Sequence, residues 1–514
     1  MKCDLQKITS CTFVLAAVAL AFAAHIARAQ TELPPEKLNK SVACHIKNDS
    51  VRLISSAKIG KAPDNLQFKG GSDACSFYER AEQMFLWLTS PVPSKRSQGS
   101  YVFNSPLFYK VWSTGIGTRS FAPITRDETR HDKITLDVKI DIEPRRADAK
   151  AEPGQADANV LTTQNSRLVY YLIEVNDVYA YFLTGQKTGG IIPKPTHFPA
   201  TQSDLDDIKK FAASHKKRLA DANTLTVELK SAWIEAAALK KSELKNYITT
   251  EAAILTYIPM DSKTWMPNPI GVKKTKLALV GMHVVFSARE HPEMLWATFE
   301  HVNNTRNRDY DYVPEGKDGA ISTHCTDSTG NWVFSLLPET KCVDTGSVNE
   351  AMMYFDGKSG NIKAYGNAIA PSDIRRESPW GSEPTRGGDN TQVISINKQV
   401  RHLLRDDVRK NYMLIGTTWA PLKEEPPSDV NVEGTYRLAN TTMETFYKNE
   451  KSDRNGVSNC FDCHTGKENN SLSMLGYKDE KGHGRGLSHI FGVLTELKCL
   501  PGRPCAPPQS ARGN

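Results

Sequence analysis

The sequence predicts an α+β fold: a large mixed, β-rich body followed by a small C-terminal helical segment. Three observations predict it. Residues 133–142, 277–287, 295–302 and 412–419 are short runs of strand-forming residues, either alternating with polar ones or continuously apolar. Helical periodicity is confined to a few stretches, chiefly 73–90 and 204–222. Beyond a charged, Pro-rich break at 421–429 the chain changes character and ends in two short helical patterns around a Gly/Lys/Asn-rich loop.

Each element has a local reason. Residues 73–90 (DACSFYERAEQMFLWLTS) place apolar side chains at helical spacing and stop at Pro91. The Met and aromatic side chains of this helix read as core. Residues 145–165 are charged, Ala/Gln-rich and aperiodic, which predicts an exposed loop. Residues 167–183 (RLVYYLIEVNDVYAYFL) read as two strands about a turn at Asn176-Asp177. Residues 227–233 read as a strand ahead of a helical pattern, and 277–287 and 295–302 as a strand pair. Residues 303–347 are polar and loop-rich. In the last segment, residues 441–449 read as a helix capped by Asn440 or Thr441, and 487–497 as a second helix capped near Ser488. No internal repeat is present.

Composition bounds the function class. The chain has 514 residues, 39% hydrophobic and 24% charged, which is ordinary for a globular protein and excludes disordered and multi-span membrane classes. Lys2 and Lys7 precede an apolar stretch at 13–24 and the small-x-small site Ala27-Arg28-Ala29, the plan of a signal peptide cleaved before Gln30. The apolar run is short for a membrane anchor, and no later run has spanning length, so the mature chain is expected in the periplasm or outside the cell with no transmembrane anchor. Loss of Lys2, Asp4, Lys7 and Arg28 takes the net charge from +7 to +5, a mild excess that suits an acidic redox partner without requiring one. The basic clusters at 215–218 and 273–276 read as solvated surface, and nothing indicates nucleic-acid binding.

Ten cysteines become eight when Cys3 and Cys11 leave with the signal. Six of these, Cys44, Cys75, Cys325, Cys342, Cys499 and Cys505, form an even set that predicts disulfides in an oxidising compartment. Proximity in sequence pairs them as Cys44–Cys75, Cys325–Cys342 and Cys499–Cys505, and buried free thiols are the alternative.

The remaining two stand in Cys460-Phe461-Asp462-Cys463-His464, a C-x-x-C-H pattern. Two thiols three residues apart lie on one turn, at a separation that suits thioether bonds to the two vinyl groups of haem. The next residue, His464, then reaches the iron as an axial ligand. The pattern therefore predicts one covalent haem c. Three other chemistries compete for it. Zinc could be held by Cys460, Cys463, His483 and His489, although their spacing is looser than a finger's. A thioredoxin-type dithiol belongs beside a βαβ unit. A plain disulfide leaves His464 unexplained. The second axial position is open to His489 as the tentative distal iron ligand, to Met474, His483 or Met443, or to no residue. Glu300, His301 and His283 lie on predicted strands, but adjacent strand positions face opposite sides, which favours structural roles for the Glu300-His301 pair.

CFDCH resembles the c-type cytochrome signature. The stretches Phe85-Leu86-Trp87-Leu88-Thr89, Trp296-Ala297-Thr298-Phe299-Glu300-His301-Val302-Asn303-Asn304 and Leu438-Ala439-Asn440-Thr441-Thr442-Met443-Glu444-Thr445 resemble a group of exported bacterial cytochrome c family proteins with one haem, a C-terminal CxxCH and a long N-terminal body. The resemblance implies haem attachment at Cys460, Cys463 and His464. On this reading the chain divides into a signal peptide (1–29), an N-terminal α+β region (30–225), a β-rich region (226–436) and a haem-binding segment (437–514). Electron transfer to an unidentified redox partner protein is the expected function. The alternatives are a haem-dependent oxidoreductase whose large body binds a small substrate, and a haem-based binding or sensing protein.

Overall fold

The structure is a computed structural model. It describes residues 37–46, 61–70, 74–92, 101–115, 118–123, 159–323, 332–335, 353–356, 359–376, 379–381, 387–420, 432–444, 460–464, 487–488, 490–491 and 494–497. Residues 1–29, expected to be a signal peptide, the strand expected at 133–142, and Cys325, Cys342, Cys499 and Cys505 lie outside these.

The frame is a curled, antiparallel, twelve-stranded sheet. Its strands are β1 (Phe108–Gly115), β2 (Thr118–Pro123), β3 (Asn159–Val160), β4 (Val169–Asn176), β5 (Val227–Glu235), β6 (Thr249–Pro259), β7 (Thr264–Ala288), β8 (His291–His301), β9 (Met353–Asp356), β10 (Asn361–Ala364), β11 (Tyr412–Trp419) and β12 (Glu433–Gly434). The main order is β12-β11-β8-β7-β5-β4-β1-β2, with β6 and β10 paired to the long β7, and β9 joining β10 to β3. The expected strand pair is β7 and β8, in register from Gly281↔Glu300 to Ala288↔His291. The expected strand at 412–419 is β11. Pairing runs without a break from β4 to β5, across residue 225.

Alternate residues of the central strands feed two cores, as a period of two requires. Leu295, Ala297 and Phe299 of β8 and Leu172 of β4 face one core; Trp296 and Val175 face the other. The first core is covered by α1 (Ala74–Leu88), whose Phe85 stacks on Phe299 at 4.3 Å and whose Phe77 stacks on Trp419 at 3.8 Å. At the end of α1, Thr89 and Ser90 hydroxyls donate to the Phe85 and Leu86 carbonyls, and Arg409 adds a third donor, which satisfies groups the helix end leaves exposed. Cys44 and Cys75 form the expected disulfide at the start of this helix.

Helices α2 (Asp177–Thr188) and α3 (Gln202–Ser214) cover the second core. Here the sequence expectation is corrected. The stretch after Asn176 is a helix rather than a strand, because the Asn176 side chain accepts from Tyr179 N and caps it, and Gly189 closes it at φ 69°. The second charged helix is also shorter than 204–222. Thr201 and Asp204 form a capping box, and the helix ends before Lys216, whose φ is 58°. The helical pattern after β5 yields only two three-residue 3-10 turns before β6. The end of the expected loop at 145–165 is ordered, with β3 in the sheet and Leu161 and Thr162 buried.

Helix α4 (Gly387–Leu404) packs on α1 and β11. Its Asn397 amide donates to Leu414 O and accepts from Leu414 N, each at 2.8 Å, beside the register shift between Leu414 and Gly416. One side chain thus satisfies backbone groups that the bulge removes from the ladder.

The stretch leading toward the CxxCH motif docks on the sheet through a tight turn. Asn440 Oδ1 accepts from Thr442 N and Oγ1, and its Nδ2 donates to Thr298 Oγ1 and Phe299 O. Among the described residues 441–444 this is a turn, not the helix the sequence predicts. Gly281 makes the approach possible: a Cβ there would sit 2.4 Å from Thr442 Oγ1 and 2.9 Å from Asn440 Oδ1. Gly281→Ala is therefore expected to lose about 1–3 kcal/mol, read as a lower urea midpoint. Gly319→Ala, with nothing within 4 Å of its Cβ, is the control expected to stay within about 0.5 kcal/mol. Equal midpoints for the two variants would refute the close approach.

Candidate haem site

The motif forms a five-residue helical turn, α5 (Cys460–His464). On a helix, residues three and four apart are neighbours, so 460 lies beside 463 and 464, and 461 lies beside 464. Phe461 is fully buried in the second core, 6.0 Å from the ring of Trp296. That anchor fixes the turn against β8. Cys460 is half-buried and touches both cores.

His464 is the best-defined group of the site. Its Nδ1 lies 3.0 Å from the carbonyl oxygen of Leu487, and its ring lies 4.2 Å from that of Trp296. Trp296 is itself held, its Nε1–H donating to Glu293 O at 3.1 Å. Burial pushes the His464 imidazole down to about 4; the Leu487 carbonyl opposes this, and His283 and Lys230 add to it. The ring is therefore neutral near pH 7. With a carbonyl oxygen at Nδ1, the proton sits there and the lone pair belongs to Nε2. A backbone carbonyl on one ring nitrogen is the arrangement that fixes a histidine's tautomer and orientation for metal ligation by the other.

Beside it, on the same sheet face, lies a polar cluster. His283 pairs with Thr298 and Lys230 across the sheet, and its Nε2 meets Glu444 Oε1. Burial would raise the Glu444 carboxyl, but His283, Lys230 and the Asn440 N–H hold it below the ordinary range. Glu300 and His301 split as expected. Glu300 turns to Arg376 and Thr441, whereas His301 stacks on Tyr247 at 3.7 Å on the far side, with its Nε2 3.1 Å from the Asn246 carbonyl oxygen and its Nδ1 accepting from Asn303 N. The two do not form an acid–base pair.

No family model, curated protein or solved structure matches this chain. The structure brings residues 85–89, 296–304 and 438–444 together: Phe85 stacks on Phe299, and Asn440 and Thr441 bond Thr298 and Glu300, while Trp296 meets the His464 ring at a tilt of 54°. The donor set fits a covalent haem, with Cys460 and Cys463 on one turn and a neutral, oriented His464 after them. Of the distal candidates, Met443 is fully buried in an apolar cluster with Val280 and Phe334, and Met474, His483 and His489 lie outside the described residues. Among the described residues no three His, Cys, Asp or Glu side chains are grouped to hold a metal ion. The sheet is antiparallel throughout, which is not the βαβ setting of a thioredoxin-type dithiol. The sequence reading places none of Trp296, Leu487, Ser488, Glu228 and Glu444 at the site; Trp296 and Glu444 stand in the stretches that carry the resemblance, Leu487 and Ser488 at the start of the expected last helix, and Glu228 has no signal beyond its strand.

Proposed function

We propose that this chain is an exported c-type haem protein that transfers electrons through one haem, held by thioethers at Cys460 and Cys463 and by His464 on the iron. The observation that carries the proposal is the Leu487 carbonyl 3.0 Å from His464 Nδ1, which leaves Nε2 as the ligand nitrogen on the motif's own turn. When bound, the haem supplies a one-electron iron couple. Trp296 covers one side of the His464 ring, with Phe461 against Trp296, and burial keeps the imidazole neutral and ready to ligate. The partner is a redox protein, and the mature net charge of +5 favours an acidic one. Among the described residues no helix is long and apolar enough to cross a membrane. A haem-dependent oxidoreductase is the second reading, favoured by the His283–Glu444 pair on the same face, which could exchange a substrate proton.

The test is an absorption spectrum of the full chain exported from a host with haem-attachment machinery. A sharp reduced α-band is expected, from haem that resists acid–acetone extraction. Cys460→Ala/Cys463→Ala should abolish the covalent haem, and His464→Ala should abolish the native low-spin spectrum. A colourless wild-type protein, or one carrying stoichiometric zinc, sinks the proposal. A high-spin wild type that binds carbon monoxide and is reduced by a small substrate moves the oxidoreductase reading ahead.

A further inference from the structure

The carbonyl that orients His464 belongs to a segment fastened elsewhere in the fold. Phe491 packs on Tyr179, Phe182 and Phe198, with ring centroids 6.2, 6.0 and 5.7 Å apart. Leu497 N donates to Thr184 Oγ1 at 3.0 Å, and Lys187 Nζ donates to Leu494 O. Both anchors are on α2. At the front of the segment Ser488 is buried between α2 and the sheet. Its hydroxyl donates to Glu228 Oε2 on β5 at 2.6 Å, which uses its one proton. The Tyr179 hydroxyl, 2.9 Å away, is then the donor to Ser488 Oγ.

The Leu487 carbonyl and the Ser488 nitrogen lie in one rigid peptide plane. Fixing Ser488 between a helix and a strand therefore fixes where the Leu487 oxygen points, and it points at His464. We infer that Tyr179, Ser488 and Glu228 are positioning residues that set the tautomer and ring orientation of His464 and, through them, the potential of the haem iron. The inference rests on the haem reading above. A firm Nδ1–H···O bond makes the imidazole a more electron-rich ligand, which favours ferric iron. Loosening the carbonyl removes that preference.

The experiment compares wild type, Ser488→Ala, Ser488→Thr and Tyr179→Phe as haem-loaded full chains by redox titration. It also records nitrogen-15 histidine spectra of the haem-free chains. Ser488→Ala should change the ferric-to-ferrous preference about tenfold, a rise of about 59 mV for one electron. In the haem-free chain it should turn the single Nδ1–H tautomer of His464 into a mixture. Tyr179→Phe should move both readouts in the same direction by less, and Ser488→Thr should restore them. A change in melting temperature with potential and tautomer unmoved would overturn the inference while leaving the haem reading standing. A wild type without covalent haem removes the haem reading and the claim on potential together, and a tautomer shift in that case shows the positioning chain acting on a histidine of another role.

Discussion

Replacing Glu300 with alanine is expected to destabilise the protein by about 3–5 kcal/mol. Glu300 is fully buried in β8 and Arg376 nearly so, with Nη2 and Oε2 2.8 Å apart. A buried ion pair of this kind adds little over an apolar pair of the same shape, because both charges lose their water. Removing one partner is different, since it leaves the other charge buried with its desolvation unopposed. Glu300 also accepts from Thr441 N at 2.8 Å and from Thr441 Oγ1 at 2.6 Å. The same truncation therefore orphans two donors in the turn that leads toward the CxxCH motif. Glu300→Gln keeps the volume and one acceptor oxygen, and should cost about 1–3 kcal/mol. Chemical unfolding of the three proteins measures both differences. An alanine variant as stable as the wild type would mean that Arg376 does not depend on this carboxylate. The effect should reach the site as well: with the turn undocked, Asn440 loses its hold on β8, and haem incorporation should fall.

How far the sequence reveals this molecule depends on which atoms carry the information. Helix α1, strands β8 and β11 and the second half of β7 were legible because each is an apolar run bounded by sharp breakers, so spacing or length identifies it; residues 264–276 of β7 carry no such run. Helix α2 was not. Its residues 178–183 are continuously apolar and all buried in the second core with Leu487, Phe491 and Leu494, so no polar face marks a helical period there. The switch from strand to helix at Asn176 rests on one side-chain cap, and the same Asn-Asp pair serves equally well as a turn signal. Strand β6 was missed because it pairs only with β7 and its residues mix small, polar and apolar types. The site divides in the same way. Cys460, Cys463 and His464 are local and carry their chemistry in their spacing. The group that orients His464 is a backbone oxygen, and no residue type announces a backbone oxygen. Glu228 and Ser488 are 260 positions apart, and their contact exists only in the folded chain, where Ser488 sits between Tyr179 of α2 and Glu228 of β5.

The largest pH effect is expected on the alkaline side of neutrality. Glu82 of α1 is fully buried, and burial raises its carboxyl to about 8. Glu174 of β4 is raised to about 8 by burial as well, with Lys110 pulling the other way and with neither carboxyl oxygen hydrogen-bonded. In the unfolded chain both ionise near about 4.3. Between those values the folded state holds a proton on each that the unfolded state has released. Raising the pH then favours unfolding by about 1.4 kcal/mol per unit for each group, until the folded carboxyls also ionise. Two histidines, the buried His301 and the half-buried His464, oppose this at lower pH. His301 is lowered to about 3 and His464 to about 4, both chiefly by burial. They contribute stability that is present above the unfolded histidine value of about 6.5 and is lost as the pH falls below it. Asp177, raised to about 6 by burial, works with the two glutamates over the acidic range. Below about pH 6.5 the opposing slopes largely cancel. Above it, among the described residues, Glu82 and Glu174 carry the main difference between the two states. Stability should therefore fall by about 3 kcal/mol between pH 6.5 and 8. The isosteric variant Glu82→Gln should halve that fall, because an amide has no proton to release. Urea midpoints for wild type and variant at pH 6.5, 7.25 and 8 read the effect directly. A wild-type midpoint that stays level across this window would mean that Glu82 and Glu174 are hydrated or paired in the folded protein, and that the sheet and α1 do not seal them from water.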